Sequence, residues 1–317
     1  SIGGSALIEG IMMRGPKRTT VCVRTAPDKI YSEDISINTI PSKCKLFKLP
    51  FLRGIAGLID SMRLSYKALM LSADKAIEST EIEEEPSKFE KWLDEKFGDK
   101  LVKIMMVIAS IIGVALAIGL FFFVPSYLFD LSAKVIPAFE GSGETAVLWK
   151  SVFEGVLKIA LFLLYIIVCS QMTEMKRVFM YHGAEHKTIF CYENEEELTV
   201  ENVKKQSRFH PRCGTSFMIL MLIVGIIVGL FVPVKPFGIA FLRPVFKILL
   251  LPISCGVGYE LIKICGKHDN LLTKIISTPG LWAQRITTKE PDDKMIEVAI
   301  KAIKEVIPED GSDIISK

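Results

Sequence analysis

Residues 101–129 read "LVKIMMVIASIIGVALAIGLFFFVPSYLF", and Lys103 is the only charge among them. A helix needs roughly 20 predominantly apolar residues to cross a bilayer. The stretch therefore predicts a transmembrane helix and sets the frame for the rest of the chain. Working outward, three more apolar runs have the length to cross, at about 147–170, 215–233 and 244–265. The second and fourth carry charges. Glu154 and Lys158 stand four apart in one, and Lys247, Glu260 and Lys263 punctuate the other. Charged groups within spans face a bundle interior or lie near an interface, and an interfacial Glu154–Lys158 ion pair is the expected arrangement.

Composition supports this frame. The mean hydropathy is +0.37 although 24% of residues are charged. Apolar blocks must then alternate with water-facing segments, as in a multi-spanning membrane protein. The net charge is only +3 and no block of like charge suggests nucleic acid, so it is not an expected partner. Seven scattered cysteines fit reduced thiols better than a disulfide framework. The opening "SIGGSALIEG" has no charged leader followed by an apolar run, so a cleavable signal peptide is not expected. The loop 171–214 and both flanking segments are rich in lysine and arginine, whereas the connections near 130–146 and 234–243 are poor in them. Four spans with that bias predict both termini and the central loop in the cytoplasm.

The flanks differ in character. Residues 1–49 have β-branched runs broken at Gly15-Pro16 and Pro27-Asp28, which predicts a small β-rich segment of two or three strands. Residues 50–100 hold an amphipathic stretch, "PFLRGIAGLIDSMRLSYKALMLSADKA", then a charged connector. The amphipathic stretch suits a helix on the membrane surface or one packed on the bundle. Residues 101–265 form the expected four-helix core, and 266–317 a C-terminal segment. There "EPDDKMIEVAIKAIKEVI" spaces Ile296, Ile300, Ile303 and Ile307 as one helical face. The fold class is mainly α, a polytopic membrane protein with a small N-terminal β segment and amphipathic helices outside the membrane.

The chemistry candidates lie in the central loop. In "YHGAEHKTIFCY" (181–192), His182 and His186 are four apart, on one face if the second span continues as a helix. "SRFHPRCGTSF" adds His210 and Cys213, three apart. Paired nitrogen and sulfur donors at these spacings can close a tetrahedral zinc site. Topology puts Glu260 near the same level, where an unpaired carboxylate is costly, so a metal, a basic partner or Lys263 is expected to neutralise it. "HGAEH" also fits H-x-x-E-H, in which two histidines bind zinc and the glutamate acts as general base. Glu185 is then the catalytic candidate, and His182, His186, His210, Cys213 and Glu260 the metal candidates. Closure by three histidines and the thiolate would leave no place for water and would make the site structural.

"GGSALIEGIMMRGP", "YHGAEHKTIFCYE", "LTVENVKKQSRFHPRCGTSF" and "PGLWAQRITTKEPDDKMIEVAI" together resemble the bacterial YqhQ-like family of membrane proteins. The resemblance covers nearly the whole chain. It implies a multi-pass protein of the bacterial inner membrane, described as a metal-dependent enzyme with zinc or another divalent transition metal. Its signature falls on Glu9, Arg14, His182, Glu185, His186, His210, Arg212, Cys213, Glu260, Trp282, Gln284 and Arg285. Two functions remain open. One is a metallohydrolase at the cytoplasmic interface acting on a peptide or lipid-linked group. The other is a non-catalytic scaffold, assembly factor or regulator with a structural His/Cys cluster. The lipid bilayer is the expected partner in both, with a membrane-protein partner or a homo-oligomer also possible. A transporter is weaker, since four spans are few. Arg14 reads as a solvated hairpin-edge residue, and Trp282 and Arg285 as anchors at the headgroup level.

Overall fold

The computed structural model describes residues 2–39, 49, 52–79, 104–105, 107–136, 139, 143–265 and 270–308. The chain divides into two compact units. The first comprises residues 1–80, 162–224 and 251–317, and the second 81–161 and 225–250.

The first unit is built on a four-stranded antiparallel meander: β1 (Gly3–Leu7), β2 (Gly10–Arg14), β3 (Thr19–Ala26) and β4 (Lys29–Asp34), in that order. The expected breaks at Gly15-Pro16 and Pro27-Asp28 fall between strands, and the strands number four. Side chains alternate across a strand, so the sheet has two usable faces. One presents Leu7, Met12, Val21 and Val23 to Leu64 and Ala68 of α1 (Leu52–Ser79). The other presents Ile11, Met13 and Cys22 to a larger cluster. Helix α4 (Thr173–Glu193) gives that cluster Tyr181, Ala184 and Ile189, and the C-terminal helix α10 (Asp293–Val306) gives it Met295, Ile296, Ala299 and Ile303. The amphipathic C-terminal stretch thus docks on the sheet. Its start is fixed by Asp292, whose carboxylate accepts from the Met295 N–H at 2.8 Å.

Helix α1 buries Gly54, Ala56, Asp60, Leu64, Ala68 and Ser72 and leaves Ile59, Met62, Tyr66 and Leu69 exposed. It is therefore packed on β3 and on α8 (Leu251–Cys265) while keeping an outward apolar stripe. The charged connector 80–100 lies outside the described residues.

Among the described residues, two helices are long and apolar enough to cross a membrane: α2 (Val107–Ser132) and α3 (Glu144–Cys169). Along α2 the apolar side chains from Ile108 to Leu116 stand exposed, an arrangement for lipid rather than water. The four expected spans reduce to two or three. The apolar run at 215–233 folds as α6 (Gly214–Gly229), only 16 residues. At 1.5 Å per residue that is about 24 Å, short of the roughly 30 Å of hydrocarbon. The run at 244–265 is broken at Leu250 into α7 (Leu242–Leu249) and α8, bent by 45°, and makes a third span if the pair counts as one. Pro252 explains the break, because it has no N–H to continue the helical ladder.

A second correction concerns α3 and α4, which do not run on as one helix. Ser170 and Gln171 form a turn and Met172 is extended (φ −71, ψ 136). Ser170 Oγ donates to the Ile167 carbonyl at 2.7 Å, and Lys289 takes the Ser170 carbonyl at 3.2 Å. Side-chain competition for backbone groups stops the helix where no proline does.

The second unit holds its charges deep. Glu154 (2% exposed) is bound by Lys247 and lies 3.3 Å from Arg243 Nε. Arg243, fully buried, also donates to the Val232 carbonyl, to Ser151 Oγ at 2.8 Å and to the Gly229 carbonyl at 3.3 Å. Lys150 reaches Asp130 at 2.5 Å. The partners of Glu154 are thus distant in sequence instead of the expected Lys158, whose ammonium sits 4.4 Å over the Phe122 ring.

Candidate metal centre

Helix α4 carries His182, Glu185 and His186 across one cleft-facing side, and three contacts set its position. The β1–β2 turn places Glu9 at φ +50, and its carboxylate accepts a bidentate pair from Arg177 and a 3.2 Å bond from the Tyr181 hydroxyl. Gly183 lies under the link between α9 (Leu271–Thr287) and α10, so close that a Cβ there would meet the Lys289 carbonyl at 2.0 Å. The Lys289 N–H in turn bonds the Phe179 carbonyl at 2.8 Å. Only glycine lets that link lie so near α4.

The close approach delivers a backbone carbonyl to the first histidine, with Thr287 O 2.8 Å from His182 Nδ1. His186 Nδ1 meets Arg208 O at 2.6 Å. A carbonyl only accepts, so both Nδ1 atoms must carry hydrogen, and in the neutral rings both Nε2 atoms keep their lone pairs. His182 Nε2 faces Cys213 Sγ at 3.3 Å, and the two imidazoles pack edge to face with centroids 4.4 Å apart. The donor atoms of His182, His186 and Cys213 all lie within 4.8 Å of one another. Zinc bonds of about 2.0–2.3 Å imply tetrahedral edges of roughly 3.3–3.8 Å, so modest side-chain adjustment closes the trio. Two imidazoles with carbonyl-anchored Nδ1 atoms and one thiol are a suitable donor set, and these three residues could hold a metal ion.

Glu185 lies within the same turn. It is 4% exposed, and burial, only partly offset by His182 and the Gly4 N–H, pushes its carboxyl up to about 7. One oxygen, Oε1, is against Gly4 of β1; Oε2 has no hydrogen-bond partner among the described residues. Burial holds His186 below the ordinary imidazole range, with Cys213 and the Arg208 carbonyl opposing. A cleft of about 670 Å³ opens onto the group. Its lining includes Ile2–Ala6 of the β1 region, Ser61 and Leu64 of α1, Glu185 and the three donor residues.

The structure gives His210 and Glu260 other partners. His210 Nδ1 accepts from the Arg212 N–H at 3.2 Å, and its Nε2 faces Glu193 at 3.4 Å, so neither nitrogen is free for the trio. Its ring stacks beside His186, centroids 5.7 Å apart. Burial pushes the Glu193 carboxyl up, but His210 and Arg212 outweigh it and hold it below the usual range. Glu260 is paired with Arg53 at 2.7 and 2.5 Å, the basic partner anticipated as an alternative to a metal. Arg53 lies 207 residues away, which is why local spacing missed it. Gln284, reached only through the family resemblance, is wholly buried and grips the His210 main chain at both ends: Oε1 accepts its N–H at 2.8 Å and Nε2 donates to its carbonyl at 2.7 Å. That grip sets the loop presenting Cys213.

The comparisons with known proteins give the family of the chain and name no cofactor or activity. The family model described as "Protein of unknown function (DUF1385)" matches residues 49–309. The chain belongs to this family. It is also similar to a protein of Bacillus subtilis (strain 168) named "Uncharacterized protein YqhQ", with 34% identity over 306 residues, covering 96% of this chain and 92% of that one. No solved structure matches it.

Proposed function

We propose that the protein is a membrane-bound, metal-dependent hydrolase whose centre is held by His182, His186 and Cys213, with Glu185 as general base. The observation that carries the reading is the pairing of a three-donor cluster with a buried carboxylate that keeps one oxygen unspent. Three protein donors leave a coordination position open, as catalytic zinc sites do, whereas a fourth donor would close the shell. His210 would be that fourth donor, and its nitrogens are spent on Arg212 and Glu193. Bound there, a divalent ion would supply Lewis acidity toward a substrate carbonyl.

The chain's own residues do the rest. Thr287 and Arg208 hold the imidazoles in the tautomer that presents Nε2. The Gly4 N–H holds Glu185 Oε1, so Oε2 is the atom that takes a proton from the attacking water and later returns it to the leaving group. Glu193 and Gln284 keep His210 and the Cys213 loop in place. The basic loop 171–214 favours the cytoplasmic side of the bacterial inner membrane for this site, with both termini on that side.

Elemental analysis of the purified full chain tests the reading. We expect one transition-metal ion per chain in the wild type, loss in His186→Ala and in Cys213→Ser, and retention in His210→Gln. Wild-type protein free of metal would overturn it. Loss of the fold together with the metal would favour the alternative, a scaffold or regulator stapled by a structural ion.

A further inference from the structure

The floor of the cleft is the edge of a sheet. The two-residue turn Ile8-Glu9 makes Leu7 and Gly10 a hydrogen-bonded pair, and pairs alternate along an antiparallel ladder. Gly3, Ser5 and Leu7 therefore bond to β2, while Gly4 and Ala6 turn their N–H and C=O groups away from it. Strand β1 is the first strand in the sheet order, and among the described residues no strand lies beyond it. The Gly4 N–H is used by Glu185. The Gly4 carbonyl and both main-chain groups of Ala6 make no hydrogen bond among the described residues.

What flanks this edge matters as much. Leu64 of α1 stands on one side, and Val178 and Ile189 of α4 on the other. Gly3 and Gly4 are exposed and bring no side chain into the space. Arg14, paired in register with Gly3, is exposed at one end of the strand. An unsatisfied donor and acceptor at strand spacing between two apolar walls form a template for another extended chain.

We infer that the cleft takes an extended peptide segment, paired through its main chain to Gly4 and Ala6 and drawn past Glu185 and the His182–His186–Cys213 trio. This substrate class rests on the hydrolase reading above. The water oxygen bonds the peptide carbonyl carbon, the C–N bond breaks, and the proton taken by Glu185 leaves on the amine. No oxidant or reductant is needed. The sheet edge selects for backbone and extended shape, and the walls for apolar side chains. A lipid tail offers no groups to satisfy Gly4 and Ala6.

The test measures binding separately from cleavage. Full-length Glu185→Gln in lipid nanodiscs, zinc-loaded and metal-free, is titrated into a fluorescein-labelled mixture of randomised nonapeptides and followed by anisotropy. The same mixture with alternate backbone nitrogens methylated is run beside it. We expect the plain mixture to bind and methylation to weaken it by about tenfold or more, the effect of losing one or two main-chain hydrogen bonds. Ala6→Pro removes only an outward-facing N–H and should weaken binding similarly, with metal content and circular dichroism unchanged. If that variant misfolds, the methylated peptides decide alone. Absence of binding, or equal binding of both mixtures, overturns the proposal. Wild type that binds peptide in this methylation-sensitive way without cleaving it would sink the hydrolase reading and leave the peptide cleft standing. Wild type that cleaves a small ester while Glu185→Gln binds no peptide would do the reverse.

Discussion

Two buried carboxylates, one in each unit, meet opposite fates. Glu154 is answered by Lys247 and Arg243, and Arg243 spends its other nitrogens on Ser151 and two carbonyls. Glu185 is buried as deeply, yet no lysine or arginine answers it among the described residues, and its Oε2, which makes no hydrogen bond, lacks the guanidinium that stands 3.3 Å from Glu154 Oε1. Folding tolerates a buried charge when its partners are complete. It tolerates an incomplete one at a cost, and such costs cluster where chemistry is done. The contrast separates a carboxylate answered by lysine and arginine from one that is not, without reference to any motif.

Removal of a partner is the strongest way to test that contrast. Arg243→Ala should leave Glu154 with Lys247 alone and strip Ser151 and the Val232 and Gly229 carbonyls of a buried donor, at a cost of about 3–5 kcal/mol. Thermal unfolding in detergent should show a sharply lower midpoint or no folded protein, and a stable variant would mean that Glu154 is not held as described. Glu185→Gln should do the opposite in metal-free protein, because it removes a carboxylate that burial disfavours. Since the Glu185 carboxyl is raised from 4.5 to about 7, the folded state holds a proton in that window that the unfolded state has lost. Stability from this group is full below about 4.5 and drains away as pH rises through 7, by up to roughly 3 kcal/mol. His186 is lowered by burial and contributes with the opposite sign as its own range is crossed, so the difference between wild type and Glu185→Gln isolates the glutamate. Denaturant titrations from pH 5 to 8 that give parallel curves for the two proteins would remove Glu185 from the account. Gly183→Ala is the smallest of the three. Its methyl meets the Lys289 carbonyl, and displacement of the link should cost about 1–3 kcal/mol and weaken metal retention. Unchanged stability and metal content would show that the link does not position Thr287.

Much of this was legible in the chain. The strands of the N-terminal segment, the face of the C-terminal helix and the α2 span follow from hydrophobic period and turn residues. So do His182, His186 and Cys213 as one cluster. What failed shares a cause. Span counting treated 215–233 and 244–265 as continuous helices, but Pro252 breaks the second and the first stops at Gly229. A second span running on into α4 was one condition for placing His182 and His186 on one face, whereas Ser170 and Lys289 end α3 with hydrogen bonds. The Glu154–Lys158 pairing relied on local spacing, and the actual partners stand 93 and 89 residues away at Lys247 and Arg243. A sequence displays which side chains are costly to bury more readily than it displays which partner relieves them.

The bond between Glu185 and Gly4 has a practical consequence. The carboxylate is moored to the first strand of the sheet, so the turn of α4 that carries His182 and His186 depends on residues far upstream of it. A nick within residues 3–7 would cut that mooring while leaving α4 and the two long apolar helices intact.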